Sequence, residues 1–128
     1  EILSEIWGCS CEKQFSGYSI VAHSPPQKMA GIKKGRKSGG ILVLCKAKMM
    51  NYIKVLKITK NFIWIEICKN IMKNLENNLL IACAYIHDIT SSYFDINIFD
   101  DLAADITKFC DMNSPFLLVG DLNGRRST

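Results

Sequence analysis

The stretch Pro115-Phe-Leu-Leu-Val-Gly120 is a continuous apolar run, and it leads directly into Asp121-Leu-Asn123-Gly124. A run of this length predicts a strand that is buried on both faces of a sheet. Side chains two residues apart on an extended segment point the same way, so we expect Asp121 and Asn123 to address one ligand together. A carboxylate that activates water and an amide that holds a phosphate oxygen are what metal-assisted phosphodiester cleavage requires. The structural alternative is a plain hairpin turn at the Asn-Gly pair.

Upstream of this strand, the apolar pattern predicts a series of strands separated by turn-forming residues. Ile2 to Trp7 is expected to be the tail of a strand or the turn that leaves it, and Ser24 to Lys37 is a loop rich in Pro, Gly and Lys. The residues from Lys69 to Asn78 are polar and predict a hairpin connection. The predicted strands span residues 17–22, 40–45, 54–59, 62–68 and 79–86.

The period of the pattern changes at Ser91, and the residues from Ser91 to Cys110 predict the one amphipathic helix. Ser92, with Asp95 three residues later, is similar to a capping box, and Lys108 suits the C-terminal end of the helix dipole. A series of strands, then a helix, then a returning strand requires the helix to cover one face of a sheet. The predicted fold class is α/β: an incomplete two-layer sandwich of mostly antiparallel strands. Apolar residues form the predicted stripe at Phe94, Ile98, Leu102, Ile106 and Phe109.

Length and composition fit one ordinary domain, since the chain has 128 residues and 48% of them are hydrophobic. No stretch approaches the ~20 consecutive apolar residues of a membrane span, so we expect no membrane partner, and no signal peptide is visible. The first residue is Glu rather than Met, and the chain ends just after the candidate site. We therefore expect residues 1–128 to be part of a longer reading frame.

The cysteines favour a reducing, intracellular compartment. Cys45, Cys68 and Cys83 fall within apolar strand-like runs, as buried thiols do. A zinc site built on Cys9, Cys11 and His23 is disfavoured, because the first two are too closely spaced and a fourth ligand is missing.

The net charge of +4 conceals a strong asymmetry along the chain. Eleven Lys and Arg residues and no Asp or Glu lie between Lys13 and Ile65, whereas nine acidic and five basic residues follow. A basic surface beside a cluster of acids suits a polyanionic substrate that is cut with a divalent cation. The alternative is ordinary solvated lysine on loops and edge strands.

Four passages together resemble the endonuclease/exonuclease/phosphatase superfamily, the fold of pancreatic deoxyribonuclease, and most closely the endonuclease domain of LINE-type non-LTR retrotransposons. They are similar to the family's Glu-Thr-Trp segment, its Gly-Arg-x-Ser-Gly-Gly signature, its Tyr-x-Pro-Pro segment and its Gly-Asp-Phe-Asn-Ala-Arg motif. They occur in the family's order over nearly the whole chain. In this sequence the passages are Leu3–Trp7, Gly35–Ile41, Ala84–His87 with Ser91–Tyr93, and Val119–Arg125.

The resemblance implies a role for each matching residue. Glu5 corresponds to the glutamate that binds Mg²⁺ or Mn²⁺, and Asp121 to the aspartate that orients or deprotonates the attacking water. Tyr85 corresponds to a tyrosine whose hydroxyl bonds the scissile phosphate, and Asn123 to the asparagine that positions phosphate and that aspartate. The Ser38-Gly39-Gly40 turn is expected to be structural. Arg36, Arg125 and Arg126 are candidate phosphate contacts.

The chain also departs from the family pattern. Ile6 stands where the family usually has Thr, and His87-Asp88 replaces a proline pair, so we interpret His87 as a loop residue. The family's first strand and its C-terminal part, which carries an Asp-His pair, have no counterpart here. We therefore expect a partial deoxyribonuclease-like domain that is weak or inactive on its own.

The resemblance implies a Mg²⁺-dependent endonuclease that nicks DNA in the nucleus and leaves a 3′ hydroxyl to prime reverse transcription. One alternative is a decayed or domesticated domain that binds nucleic acid through its basic half without cutting it. Another keeps the phosphoesterase chemistry but acts on a substrate such as a phosphoinositide. The Gly35–Ile41 passage argues against this last alternative, because it is not expected in those branches of the superfamily.

Overall fold

The computed structural model of the chain describes residues 2–4, 16–27, 37–71, 73–111 and 113–124. Within these ranges there are seven strands, one α-helix and two short 3₁₀ turns. The strands are β1 (Ile2–Ser4), β2 (Tyr18–Ser24), β3 (Ile41–Lys46), β4 (Ile53–Ile58), β5 (Phe62–Ile67), β6 (Leu79–Tyr85) and β7 (Phe116–Asp121). The helix α1 spans Ile98–Phe109, and the 3₁₀ turns span Ala47–Tyr52 and Lys69–Ile71.

The strands form two sheets. A three-stranded antiparallel sheet has the order β1-β3-β2, and a four-stranded sheet has the order β4-β5-β6-β7. β4, β5 and β6 pair antiparallel, whereas β6 and β7 pair parallel. Short connections allow the antiparallel pairs, but two parallel neighbours need a crossover. The segment containing α1 provides that crossover between β6 and β7.

Two apolar clusters hold three layers together. The first cluster lies between the sheets and the second between the four-stranded sheet and α1. β5 contributes to both, because Ile63 and Ile65 face the other sheet while Phe62 and Trp64 face the helix. Trp64 is fully buried, stacks on Phe116 and packs against the ring of Phe109 on the helix. Both faces of the four-stranded sheet are thus covered by apolar side chains.

The predicted α/β class, with mostly antiparallel strands, is confirmed in the described residues. Each strand predicted from β2 to β7 is present with its ends shifted by at most two residues. The expected two layers become three, since α1 forms a layer of its own on the outer face of the four-stranded sheet.

The predicted start of the helix at Ser91 is wrong, because α1 begins at Ile98. Residues 91–97 form successive turns whose amides are satisfied by local side chains. Ser91 Oγ accepts a bond from the Tyr93 amide, and Asp95 Oδ1 accepts one from the Asn97 amide. The apolar stripe is nevertheless used as predicted, since its five members all contact the second cluster. Within the described residues, no helix is both long and apolar enough to span a membrane.

The prediction that the β7 strand is buried on both faces is wrong. β7 is the last strand in the order of its sheet, and none of its residues is fully buried, since Leu117 and Gly120 are exposed and the others are half-buried. Leu117 is 48% exposed. Continuous apolar sequence alone does not distinguish a central strand from a strand at the end of the order.

The cysteines that the structure describes are free thiols. Cys45 and Cys83 are buried as predicted, whereas Cys68 is only half-buried. Burial raises the pKa of Cys83 to about 11, so this thiol stays protonated at neutral pH. Cys9 and Cys11 lie outside the described residues.

Gly120 is the residue of β7 that no other amino acid can replace. Its φ is +129°, and a Cβ built on it would lie 2.0 Å from the carbonyl oxygen of Ala84. The close approach of the two strands therefore requires a residue without a side chain.

Gly120→Ala is expected to lower the free energy of unfolding by at least ~2 kcal/mol, since backbone strain of this kind alone costs ~1–3 kcal/mol. Denaturant unfolding measures the change. Gly124→Ala is the matched control, because no atom lies within 4 Å of a Cβ built there. Equal stability of the two variants would contradict the close approach of β7 to β6.

Candidate active site

The parallel pairing of β6 and β7 brings two of the predicted site residues to the same end of the sheet. Tyr85, the last residue of β6, is the register partner of Asp121, the last residue of β7. The ladder closes just beyond them, where the Ile86 amide donates to the carbonyl oxygen of Asp121 at 2.9 Å. The backbones of the two residues are thus held side by side, although 36 positions separate them in sequence.

Asn123 is tied to both strands by two hydrogen bonds. Its backbone amide donates to Asp121 Oδ1 at 3.0 Å, and its side-chain Nδ2 donates to the carbonyl oxygen of Ile86 at 2.5 Å. The φ of Asn123 is +45°, a left-handed conformation that Asn tolerates better than most residues. The expectation of an extended segment from Asp121 to Asn123 is therefore wrong. The two residues are joined by a turn, in which the Asn123 amide donates to the Asp121 carboxylate.

Tyr85 is 4% exposed and belongs to the cluster between the sheets. Its backbone exchanges two hydrogen bonds with Asn61, one from the Tyr85 amide to the Asn61 carbonyl at 2.9 Å and one from Asn61 Nδ2 to the Tyr85 carbonyl at 3.0 Å. Sequence analysis missed Asn61, which is 5% exposed. The sequence feature that could have indicated Asn61 is its position as a polar residue directly before the apolar run of β5.

The Ser38-Gly39-Gly40 turn packs against this end of β6. Gly39 has a φ of +81°, and a Cβ built on it would lie 3.3 Å from Cδ1 of Tyr85. Ser38 Oγ lies 3.1 Å from Nε2 of His87. This geometry agrees with the structural role predicted for the turn. The Tyr85 ring lies so close to Gly39 that a residue without a side chain is favoured there.

His87 lies in the predicted loop, but its ring has several specific neighbours there. It packs edge-on against Tyr85, with the ring centroids 4.8 Å apart, and stacks on Tyr93 at 5.3 Å. Sequence analysis interpreted it only as a loop residue, because His87-Asp88 stands where the resembled family has a proline pair.

The other predicted site residues, Glu5, Arg36, Arg125 and Arg126, lie outside the residues that the structure describes. The strand that leads toward Glu5 is described as far as Ser4, whose register partner is Ile41. Ile41 follows the Ser38-Gly39-Gly40 turn directly, so β1 ends on the side of the sheets where that turn packs on Tyr85.

The oxygen donors at this edge suit a hard cation. The carboxylate of Asp121 and the side-chain carbonyl of Asn123 are the ligand types that Mg²⁺ prefers. Among the described residues there is no group of three or more His, Cys, Asp or Glu side chains that could hold a metal. A complete site would thus need further ligands, and Glu5 is the one that the resemblance supplies.

Part of the predicted basic surface is neutralised within the fold. Lys57 Nζ lies 2.6 Å from Oδ1 of Asp105. Lys54 is exposed, and its register partner across β4 and β5 is Glu66. The exposed Lys46 and Lys48 lie at the end of β3 away from Tyr85. Lys37 is exposed and directly precedes Ser38.

A cavity of about 320 Å³ opens beside Asn123. Its lining combines apolar side chains with a few polar ones, as small-ligand sites do. Phe99 and Leu122 line it and are 57% and 40% exposed. The candidate site therefore has an apolar wall on one side.

Comparison with known proteins finds no matching family model, no matching curated protein and no matching solved structure. Functional interpretation thus rests on the geometry at the ends of β6 and β7 and on the four sequence passages.

Asn123→Ala is expected to lower the free energy of unfolding by ~1–3 kcal/mol, because it leaves the Ile86 carbonyl without its side-chain donor. Chemical denaturation measures this loss. Asn77→Ala is the matched control, since Asn77 Nδ2 also donates to a backbone carbonyl, that of Asn113, but at an exposed position. If the control loses as much stability as Asn123→Ala, the bond to Ile86 has no special importance.

Proposed function

We propose that this chain is part of a Mg²⁺-dependent DNA endonuclease, the nicking domain of a LINE-type retrotransposon protein. The observation that carries the proposal is the register of β6 and β7, which sets Tyr85 opposite Asp121. These residues belong to two of the four passages that resemble the family. Nothing in the periodicity of either strand required them to be neighbours.

The other two passages support the same proposal by their position. Gly39, from the Gly35–Ile41 passage, packs on Tyr85, and Ser4, from the Leu3–Trp7 passage, pairs with Ile41. Four segments that are far apart in sequence thus approach one edge of the two sheets. A deoxyribonuclease-like fold, of which residues 1–128 form a part, is the finer proposal that follows from this convergence. Because the proposed substrate is DNA, we propose that the protein acts in the nucleus.

In the proposed mechanism, the Asp121 carboxylate orients a water molecule and accepts its proton as the oxygen attacks phosphorus in line. The bond from phosphorus to the 3′ oxygen breaks, and the leaving oxygen takes a proton from solvent to become the 3′ hydroxyl of the nicked strand. The Asn123 backbone amide holds Asp121 Oδ1, which leaves the other carboxylate oxygen to take the proton. The Tyr85 hydroxyl is assigned to the phosphate, where a donor stabilises developing negative charge.

Glu5 is the residue we assign to the divalent cation, with the Asn123 side-chain carbonyl as a neutral donor. A bound Mg²⁺ or Mn²⁺ would neutralise charge on the phosphate as the transition state forms. Both assignments use oxygen donors, as these cations require.

A second candidate function, nucleic-acid binding without cleavage, is favoured by two observations. The Tyr85 residue is almost completely buried, and the Asn123 side-chain amide is already bonded to Ile86. A site whose polar groups are engaged by the protein itself suits a domain that has kept its fold and lost its chemistry. Salt-sensitive binding that does not depend on Mg²⁺ would distinguish this function.

The test is nicking of supercoiled plasmid by the purified chain, with Mg²⁺ and with EDTA. Asp121→Asn is expected to reduce the nicking rate by at least ~10²-fold, within the range that a general base contributes. Asp111→Asn is the matched control, because Asp111 Oδ1 accepts a bond from the Asn113 backbone amide just as Asp121 does from Asn123. This control is expected to nick at the native rate.

Equal nicking by native protein and Asp121→Asn would contradict the proposal, since the activity would then come from elsewhere. A folded native protein that retains DNA but does not nick it would instead support the binding function. Circular dichroism of each sample establishes that the compared proteins are folded.

A further inference from the structure

A group of five residues surrounds the end of β6, in which His87 contacts Tyr85, Tyr93 and Ser38 and lies beside Gly39. Its ring packs edge-on against Tyr85 and face to face on Tyr93. Its Nε2 lies 3.1 Å from Ser38 Oγ, and a Cβ built on Gly39 would be 3.5 Å from its Cε1. The imidazole therefore connects the loop after β6 with the turn before β3.

The contacts made by His87 bear on the position of the Tyr85 ring. The Gly39 backbone approaches Cδ1 and Cε1 of Tyr85, and the His87 ring contacts the same side chain. An edge-to-face contact between aromatic rings has a preferred direction, so it restrains ring orientation as well as distance. The bond to Ser38 restrains the imidazole in turn. Tyr85 is thus held by two neighbours that are themselves joined.

We propose that His87 is a positioning residue, which holds the Tyr85 ring and the Ser38-Gly39-Gly40 turn in the arrangement that phosphate chemistry at Asp121 requires. The inference rests on the proposed function for its catalytic consequence, but the positioning of the ring is a structural claim that can be tested separately. His87 touches no reacting atom in this account and acts through Tyr85.

This role gives a reason for one departure from the family pattern. A proline pair stiffens the backbone after the tyrosine by fixing φ. His87-Asp88 lacks that restraint, and here the same segment is held by side-chain contacts. Asp88 contributes through its Oδ1, which accepts bonds from the amide and hydroxyl of Thr90.

The first readout is the NMR spectrum of protein whose tyrosine rings carry ¹³C. The chain has four tyrosines, and the Tyr85 ring signals are assigned by their loss in Tyr85→Phe. His87→Ala is expected to shift the Tyr85 and Tyr93 ring signals and to leave those of Tyr18 and Tyr52 in place. His87→Phe keeps a ring between the two tyrosines, so its Tyr85 signals are expected to stay nearer to the native positions.

Ser38→Ala removes the hydroxyl that bonds Nε2 of His87. It is expected to shift the Tyr85 signals in the same direction as His87→Ala, by a smaller amount. Ser114→Ala is the matched control, since Ser114 Oγ donates to Asp111 at an exposed site. If His87→Ala does not fold, His87→Phe and Ser38→Ala decide the result. Unchanged Tyr85 signals in the folded variants would overturn the inference.

The second readout separates kcat from KM for plasmid nicking. His87→Ala is expected to lower kcat by roughly tenfold to a hundredfold, the scale on which misplacement of a group by about 1 Å acts, with KM nearly unchanged. His87→Phe is expected to recover part of the lost kcat. A change in KM alone would overturn the positioning role.

The two readouts keep the inference separate from the proposed function. If the native chain does not nick DNA, the proposed function fails, and the Tyr85 ring signals in Ser38→Ala, which keeps the imidazole and its ring current, still decide whether His87 positions Tyr85. If the native chain nicks DNA but the ring signals do not move, the positioning role fails and the proposed function stands.

Discussion

The candidate site depends on how closely β7 approaches β6 at Gly120. Because Gly120 has no side chain, its backbone can lie against the carbonyl of Ala84. This approach carries the parallel ladder to the last residue of each strand, where Tyr85 faces Asp121 and the Ile86 amide bonds the Asp121 carbonyl. The turn at Asn123 then follows from the same pairing, since Ile86 supplies the carbonyl that its side chain bonds.

The strands and the helix could be predicted because the pattern of apolar residues reflects which faces they bury. β5 shows this well, since its apolar run corresponds to a strand with a cluster on each face. The hairpin connection predicted over residues 69–78 implied the antiparallel pairing of β5 and β6, which is present, but the pattern did not predict the parallel pairing of β6 and β7. The apolar pattern also gave the wrong start for the helix, because short polar side chains near Ser91 bond nearby amides and α1 begins only at Ile98. It gave the wrong burial for β7, whose apolar run lies at the end of the strand order.

The candidate site could be predicted only in part. Asp121 and Asn123 were found because they follow an apolar strand, but their geometry was not, since the left-handed φ of Asn123 comes from a tertiary bond to Ile86. Asn61 and His87 were missed for the same reason. Asn61 bonds Tyr85 and His87 lies against Ser38, in both cases far away in sequence, and periodicity carries no information about such contacts. His87 also packs on the nearby Tyr85 and Tyr93, but a strand or helix period does not describe contacts within a loop. Tyr85 was found by resemblance, and its burial agrees with the structural alternative that a tyrosine at the end of an apolar strand is a core or rim aromatic.

The fold also alters the electrostatic account that the charge asymmetry suggested. Lys57 is paired with a buried aspartate of α1, so it is not a free partner for a polyanion. The acidic second half of the chain is thus used partly to neutralise the basic first half. Attraction of nucleic acid to the edge that carries Tyr85 and Asp121 would therefore depend on fewer positive charges than the number of Lys and Arg residues in the sequence implies.

Backbone NMR of the uniformly ¹⁵N,¹³C-labelled chain tests the central claim most directly, because it observes the β6–β7 pairing itself. The account predicts a slowly exchanging Ile86 amide, a through-hydrogen-bond coupling from that amide to the Asp121 carbonyl, and cross-strand contacts between Ala84 and Gly120. A rapidly exchanging Ile86 amide without this coupling, or cross-strand contacts in another register, would contradict the account, because Tyr85 and Asp121 would then not face each other.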